Sequence, residues 1–298
     1  MSRFKANDIF LSVKEDKTDV VYKLETNLDT QNLINGIFDE ATNELAGKTN
    51  VSFDGSYTPL EDETLCIANF VLPDVLKDAF RNPISIDSFQ PTDETIENIK
   101  GICVGYSENT EKSEKFIGAF QRFRKEQYIS TSKLNLLFND GTFTQNKSVG
   151  ISVSYSIDCF LNGTNLIFDS FYYARQIFDS AGYYRTATDE DINNFLLTEK
   201  INLGDGREQV MAKANSWVRR KVALINDSGV LDKYSAMEIK RIAKKHSGLV
   251  DLTVKDKMIE FPNDFEKVKV LLTFLDEGSW VGSFSNDTFI STSKRKVK

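Results

Sequence analysis

The chain has 298 residues, 40% of them apolar and 27% charged, enough to bury one large or two ordinary hydrophobic cores in water. Its 37 basic and 44 acidic residues leave a formal charge of -7, which argues against a uniformly basic surface that coats nucleic acid. No run approaches the roughly 18 consecutive apolar residues of a membrane span, and Met1 to Asp8 lacks the apolar core of a signal peptide, so the expected compartment is the cytoplasm.

In chain order, residues 8 to 25 alternate as a hairpin, with strands over 9–13 and 20–24 around the polar turn Lys14 to Asp19. Leu33, Ile34, Ile37, Phe38, Ala41 and Leu45 form a helical stripe that predicts a helix over 30–46. Asp29 is its expected N-cap, Gly47 its stop, and Asp39, Glu40 and Glu44 its exposed side. Strand-like runs follow at 64–70, 101–106, 134–138, 148–155, 157–161 and 165–168. Among them Asn162-Gly163 is the strongest short-range hairpin signal, because a type I′ turn needs positive φ at both central residues. Helices are predicted over 111–127, 170–179 and 188–198, the last opened by Thr188-Asp189-Glu190-Asp191. Beyond Gly206 come a helix to about residue 226, another over 232–246, a hairpin (249–254 and 258–261), a helix over 263–275 and a last strand around 288–293. The predicted class is α+β: a mixed or antiparallel sheet with helices in an acidic body, residues 1–205, then a basic, helix-rich subdomain with a short hairpin, residues 206–298.

Rare residues restrict the chemistry. His246 is the single histidine, and triads, His-ligated zinc and imidazole general bases all need one with named partners. At the end of a predicted helix it reads as a cation that complements the macrodipole, with catalysis as the alternative. Cys66, Cys103 and Cys159 each lie in an apolar run and read as small buried hydrophobes; no CxxC pair occurs. Neither GxxxxGK[ST] nor GxGxxG is present, and Gly204-Asp205-Gly206 reads as a turn. The sequence therefore predicts no cofactor, no metal and no catalytic residue.

Charge is unevenly distributed. Residues 207–298 hold 18 basic against 12 acidic residues, a surplus of +6, which leaves -13 for residues 1–206. Such asymmetry suggests a polyanion contact on one face. Lys240, Arg241, Lys244 and Lys245 share one side of their helix, opposite Ile239, Ile242 and Ala243. On the preceding helix Lys213 and Arg220 lie on one flank and Arg219 faces away from the core, while Lys294, Arg295, Lys296 and Lys298 close the chain. These residues are the candidate DNA contacts, with solvated helix faces and a loose tail as the alternative. Trp217 and Trp280 read as core anchors or as platforms for bases.

A magnesium nuclease is a second reading. Its nearest carboxylates are Asp158 and Asp169 on either side of the Asn162-Gly163 hairpin, but no Glu-x-Lys follows, and Asp158 also reads as a polar strand or capping residue.

Two regions together resemble a known family. The run Phe116-Ile117-Gly118-Ala119-Phe120-Gln121-Arg122-Phe123 is followed by Ser156-Ile157-Asp158-Cys159-Phe160-Leu161-Asn162-Gly163, Ile167-Phe168 and the aromatic stretch Phe171 to Phe178. With Leu271 to Trp280 and Thr288 to Arg295, they are similar to the KwaB-like domain family, the cytosolic B subunits of the Kiwa anti-phage system. The resemblance covers most of the chain from about residue 110. It implies a bacterial defence protein that binds DNA, works with a membrane-embedded A subunit (a KwaA-like partner) and interferes with phage DNA replication or expression. It carries no catalytic residues. A homodimer that neutralises phosphates without covalent chemistry is the expectation. A scaffold that docks a membrane partner through its acidic body, without binding DNA, is the third reading.

Overall fold

The computed structural model describes residues 4, 9–16, 18–55, 57–110, 113–178, 183, 187–202, 214–246, 251–291 and 294. The fold is α+β and divides into two units, residues 1–53 with 59–180, and residues 54–58 with 181–298. The division falls at 180/181 rather than near 205, because the helix after Thr188 buries Ile192, Phe195 and Leu196 in the core of the second unit. That shift moves acidic residues across the boundary: the second unit holds 20 basic against 18 acidic residues. Most of the apparent +6 is thereby balanced within its own unit.

In the first unit, β1 (Ile9–Glu15) and β2 (Thr18–Lys23) form the expected hairpin. Helix α1 (Leu28–Gly47) follows, capped by Asn27 rather than Asp29: the Asn27 side chain accepts from Thr30 N at 2.9 Å. Next come β3 (Thr49–Ser52), β4 (Glu63–Ile67), α2 (Asp74–Arg81), β5 (Ile99–Thr110) and β6 (Ser113–Arg122). Two short pairings follow, β7 (Tyr128–Ile129) with β10 (Gly150–Ile151), and β8 (Asn135–Asn139) with β9 (Thr142–Asn146). The unit closes with β11 (Cys159–Asn162), β12 (Asn165–Phe168) and α3 (Phe171–Ile177).

The main sheet runs β2-β1-β5-β6-β11-β12-β4-β3, antiparallel throughout except for β3 with β4. Helix α1 covers one face: Ile34, Ile37, Phe38 and Leu45 pack on Ile9, Leu11, Val104, Ala119, Phe160 and Ile167. The other face carries a chain of rings, Phe10–Phe80–Phe120–Phe178–Phe70, with centroids 4.8 to 6.2 Å apart. Phe80 comes from α2, so this face is roofed as well.

Both covered faces explain the main error in the predicted elements, the helix over 111–127. Glu, Lys and Ala there favour a helix locally, yet residues 113–122 are β6, paired along their whole length with β5. With Ala119 buried on one face and Phe120 on the other, the period of two leaves no polar trace in the sequence. The hairpin turn at Asn162-Gly163 is also shifted. Asn162 pairs with Asn165, so Gly163-Thr164 is the loop, and of these Gly163 alone has positive φ, the requirement of a type II′ turn. The type I′ pattern sits instead at Asp140-Gly141 between β8 and β9, where both φ values are positive, 49° and 80°.

The second unit contains α4 (Asp189–Leu196), β13 (Ile201–Asn202), α5 (Ser216–Ser228), α6 (Val230–Lys233), α7 (Ala236–Ala243), β14 (Val254–Lys255), β15 (Met258–Glu260), α8 (Phe265–Leu275), β16 (Ser279–Val281) and β17 (Thr288–Ile290). Its core joins Phe195, Val218, Val222, Ile239, Ile259, Leu271 and Leu272. The expected helix over 232–246 is split by Tyr234 and Ser235, whose extended backbone ends α6 and caps α7. Among the described residues, no helix is long and apolar enough to cross a membrane.

Candidate nucleic-acid interface

Helix α5 starts where Asn215 Oδ1 accepts from Trp217 N and Val218 N at 3.1 Å, and stops at Gly229 in the left-handed region. Val218, Val222 and Ile225 face the core, which sets the direction of the cations between them. Arg219 does not point away from the core, as its helical position suggested. Its Nε donates to Ala214 O at 3.1 Å, its Nη1 to Ala187 O at 3.0 Å, and its Nη2 pairs with the Asp189 carboxylate. Arg220 Nη1 donates to Gly55 O at 2.6 Å. Lys294 Nζ lies 2.7 Å from Asp276 Oδ1, while Lys221 Nζ lies 2.5 Å from Asp276 Oδ2 and over the Trp217 ring. Arg219, Arg220 and Lys294 are thus tied to internal acceptors. Lys213, Arg295 and Lys296 lie outside the described residues.

Lys240, Arg241, Lys244 and Lys245 are placed differently. Helix α7 opens with a capping box: Glu238 N donates to Ser235 Oγ at 3.3 Å, and the Glu238 carboxylate accepts from Ser235 N at 2.9 Å. These bonds hold the Glu238 carboxyl below its usual range, and they keep this helix's acid at its N-terminal end. Ala236, Ile239 and Ala243 are buried, so the opposite side is left to Arg241, while Lys240 is half-buried at the margin of the apolar face. Past Ala243 the turn tightens, with Lys245 N bonded to Ile242 O at 3.0 Å, and Lys244 and Lys245 are exposed. Among the described residues no carboxylate lies within ion-pair distance of these four cations. Cations at a helix C-terminus also complement its dipole.

His246 ends this turn. Its Nδ1 lies 3.1 Å from Ser279 Oγ, and its ring meets Phe274 edge to face at 5.2 Å. Burial pushes the imidazole below its ordinary value, so it is neutral at pH 7 and is not the dipole-complementing cation that its position suggested. Because protonation is easier in the unfolded chain, stability of the second unit is full above the ordinary imidazole value of 6.5 and declines as the pH drops below it. Urea melts at descending pH, followed by tryptophan emission, should show that decline, and a His246→Gln chain should lack it over the imidazole range.

The carboxylates of the nuclease reading are occupied. Asp158 Oδ2 accepts from Arg122 N at 2.6 Å, and burial pushes its carboxyl above the usual range. Asp169 pairs with Lys48 at 2.9 Å. Among the described residues no group of three or more His, Cys, Asp or Glu is placed to hold a metal ion. Cys103 and Cys159 are buried and Cys66 half-buried. The apolar cavity between the main sheet and α2, lined by Leu76, Cys103, Phe120 and Phe178, measures about 90 Å³, well below the several hundred typical of a small-molecule site.

No protein-family model, no curated protein and no solved structure matches this chain.

Proposed function

We propose that this chain is a bacterial anti-phage defence protein that binds DNA non-covalently through Lys240, Arg241, Lys244 and Lys245. The observation that carries the DNA contact is that Arg241, Lys244 and Lys245 stand exposed on α7 and its following turn with half-buried Lys240 at their margin, and that none of the four forms an ion pair among the described residues. Arg219, Arg220 and Lys294 drop out of the contact, since each already has an internal acceptor. The defence role, the homodimer and the membrane-embedded partner rest on the resemblance to the KwaB-like family.

Four phosphate contacts give log affinity a slope of about -3.6 against log salt, a loss of about a hundredfold between 50 and 200 mM. Fluorescence anisotropy with a labelled duplex measures it. The charge reversal Lys240→Glu, Arg241→Glu, Lys244→Glu, Lys245→Glu should abolish binding. No duplex binding at low salt, or binding untouched by the reversal, defeats the reading. That second outcome favours the scaffold, for which one observation speaks: Leu136, Leu137, Phe138 and Phe143 stand exposed on the β8–β9 hairpin of the first unit. The nuclease reading gains nothing from Asp158 and Asp169, whose contacts are internal.

A further inference from the structure

We infer that the nucleic acid bound at this face is single-stranded, with bases stacking on Trp280 while the phosphates reach Lys244 and Lys245; the inference rests on the DNA-binding reading above. Of the two tryptophans, Trp217 is half-buried against the core, whereas Trp280 is 52% exposed. Trp280 stands opposite Phe289 on the β16–β17 ribbon, and the two rings stack with centroids 4.6 Å apart and planes 20° from parallel. Phe289 is 41% exposed, and Phe284 in the connecting loop is wholly exposed.

Alternation along β16 explains why the indole is outside. Ser279 turns inward to His246, and Gly278 lies against Thr273 of α8, so the next residue points from the opposite side of the ribbon. The Ser279–His246 contact of 3.1 Å also brings the strand that carries Trp280 against the turn that carries Lys244 and Lys245. The exposed aromatic pair and, on the turn that meets the other side of its strand, the exposed Lys244 and Lys245 are the two elements of a single-strand site, a stacking platform and a positive track for the backbone. A duplex hides its base faces and makes no use of the rings. Between Glu277 and Lys294 the acidic residues are Glu277 and Asp287, and beyond them the sequence runs Lys294-Arg295-Lys296-Val297-Lys298.

The test uses the full chain at about 50 mM salt, where phosphate contacts are strong. Labelled thymidine and uridine oligomers of about 20 nucleotides, long enough to exceed one stacking site, are compared with a duplex of the same length. Trp280→Ala should weaken thymidine-oligomer binding about fivefold or more and leave duplex binding within about twofold, as phosphate contacts persist. Trp280→Phe should restore most of the loss. In a Trp217→Phe chain the remaining indole emission should be quenched by the thymidine oligomer, a readout that a structural role for Trp280 would not produce. Equal losses on both ligands, no loss on either, or no quenching overturns the inference. Tighter binding of the uridine oligomer with the same dependence on Trp280 overturns the assignment to DNA. If neither ligand binds, the DNA-binding reading falls with it. If both bind and are lost on the α7 charge reversal while Trp280→Ala has no effect, that reading stands and the single-strand inference alone fails.

Discussion

Gly105→Ala should destabilise the first unit by about 3 kcal/mol, the upper range for forcing an extra carbon into a filled core. A Cβ on Gly105 would lie 2.2 Å from Phe80 Cζ, and one on Gly118, its partner across β5 and β6, 2.8 Å from Phe80 Cε2. The two glycines form a window in the sheet that receives the Phe80 ring. Their φ values are ordinary, so the cost is steric and not conformational. Phe80 in turn contacts Phe10 and Phe120, and through this ring α2 sits on the sheet. Phe80→Ala should cost about 3–5 kcal/mol, and adding Gly105→Ala to it should cost little more, because the clash partner is gone. Both tryptophans belong to the second unit, so the reporter is hydrogen exchange at the β5 and β6 amides. A loss under about 1 kcal/mol, or full additivity, contradicts this account of the window.

That window shows which parts of the fold were legible. The stripe of α1 and the Thr188 capping box are local patterns, and their helices occur where those patterns place them. Gly105 and Gly118 are ordinary strand glycines until the pairing register sets them side by side beneath a phenylalanine about 25 to 38 residues away, which no local window reveals. The turn chemistry was sound but misplaced: Asp140-Gly141 carries the type I′ geometry expected of Asn162-Gly163, and the register of β11 with β12 decides the difference.

At the candidate site the helical period correctly put Arg241 opposite Ile239 and Ala243, but Lys240 is half-buried at the margin of that apolar face. It could not show that Arg219 bends back to Asp189, or that Asp276 collects two lysines, since those acceptors lie 30, 55 and 18 residues away. Charge counting failed for the same reason. A cation paired across the fold contributes to the net charge and not to a binding surface, so the surplus of +6 overstated the face available to DNA. Trp280 had a recoverable signal in its position opposite Phe289, but β16 went unpredicted because its three residues are too short to show alternation.

Asp276→Ala should destabilise the second unit by about 3–5 kcal/mol, the range for breaking a buried ion pair from one side. Asp276 is 3% exposed and sits at the C-terminal end of α8, where a carboxylate opposes the helix dipole. Two lysines offset that cost: Lys221 at 2.5 Å, itself only 12% exposed, and Lys294 at 2.7 Å. Removing the carboxylate leaves the Lys221 ammonium enclosed against Trp217, with no counter-ion, whereas Lys294 is exposed enough to turn to water. The two arms should therefore separate. Lys294→Ala should cost under about 1 kcal/mol, as exposed pairs do. Lys221→Met combined with Asp276→Leu should recover most of what Asp276→Ala loses, because an apolar pair of similar volume removes both desolvation costs. Trp217 reports the transition directly, since the Lys221 ammonium lies 5.8 Å from its ring. If Lys294→Ala proves as costly as Asp276→Ala, the exposed arm carries the stabilisation and the assignment to Lys221 is wrong.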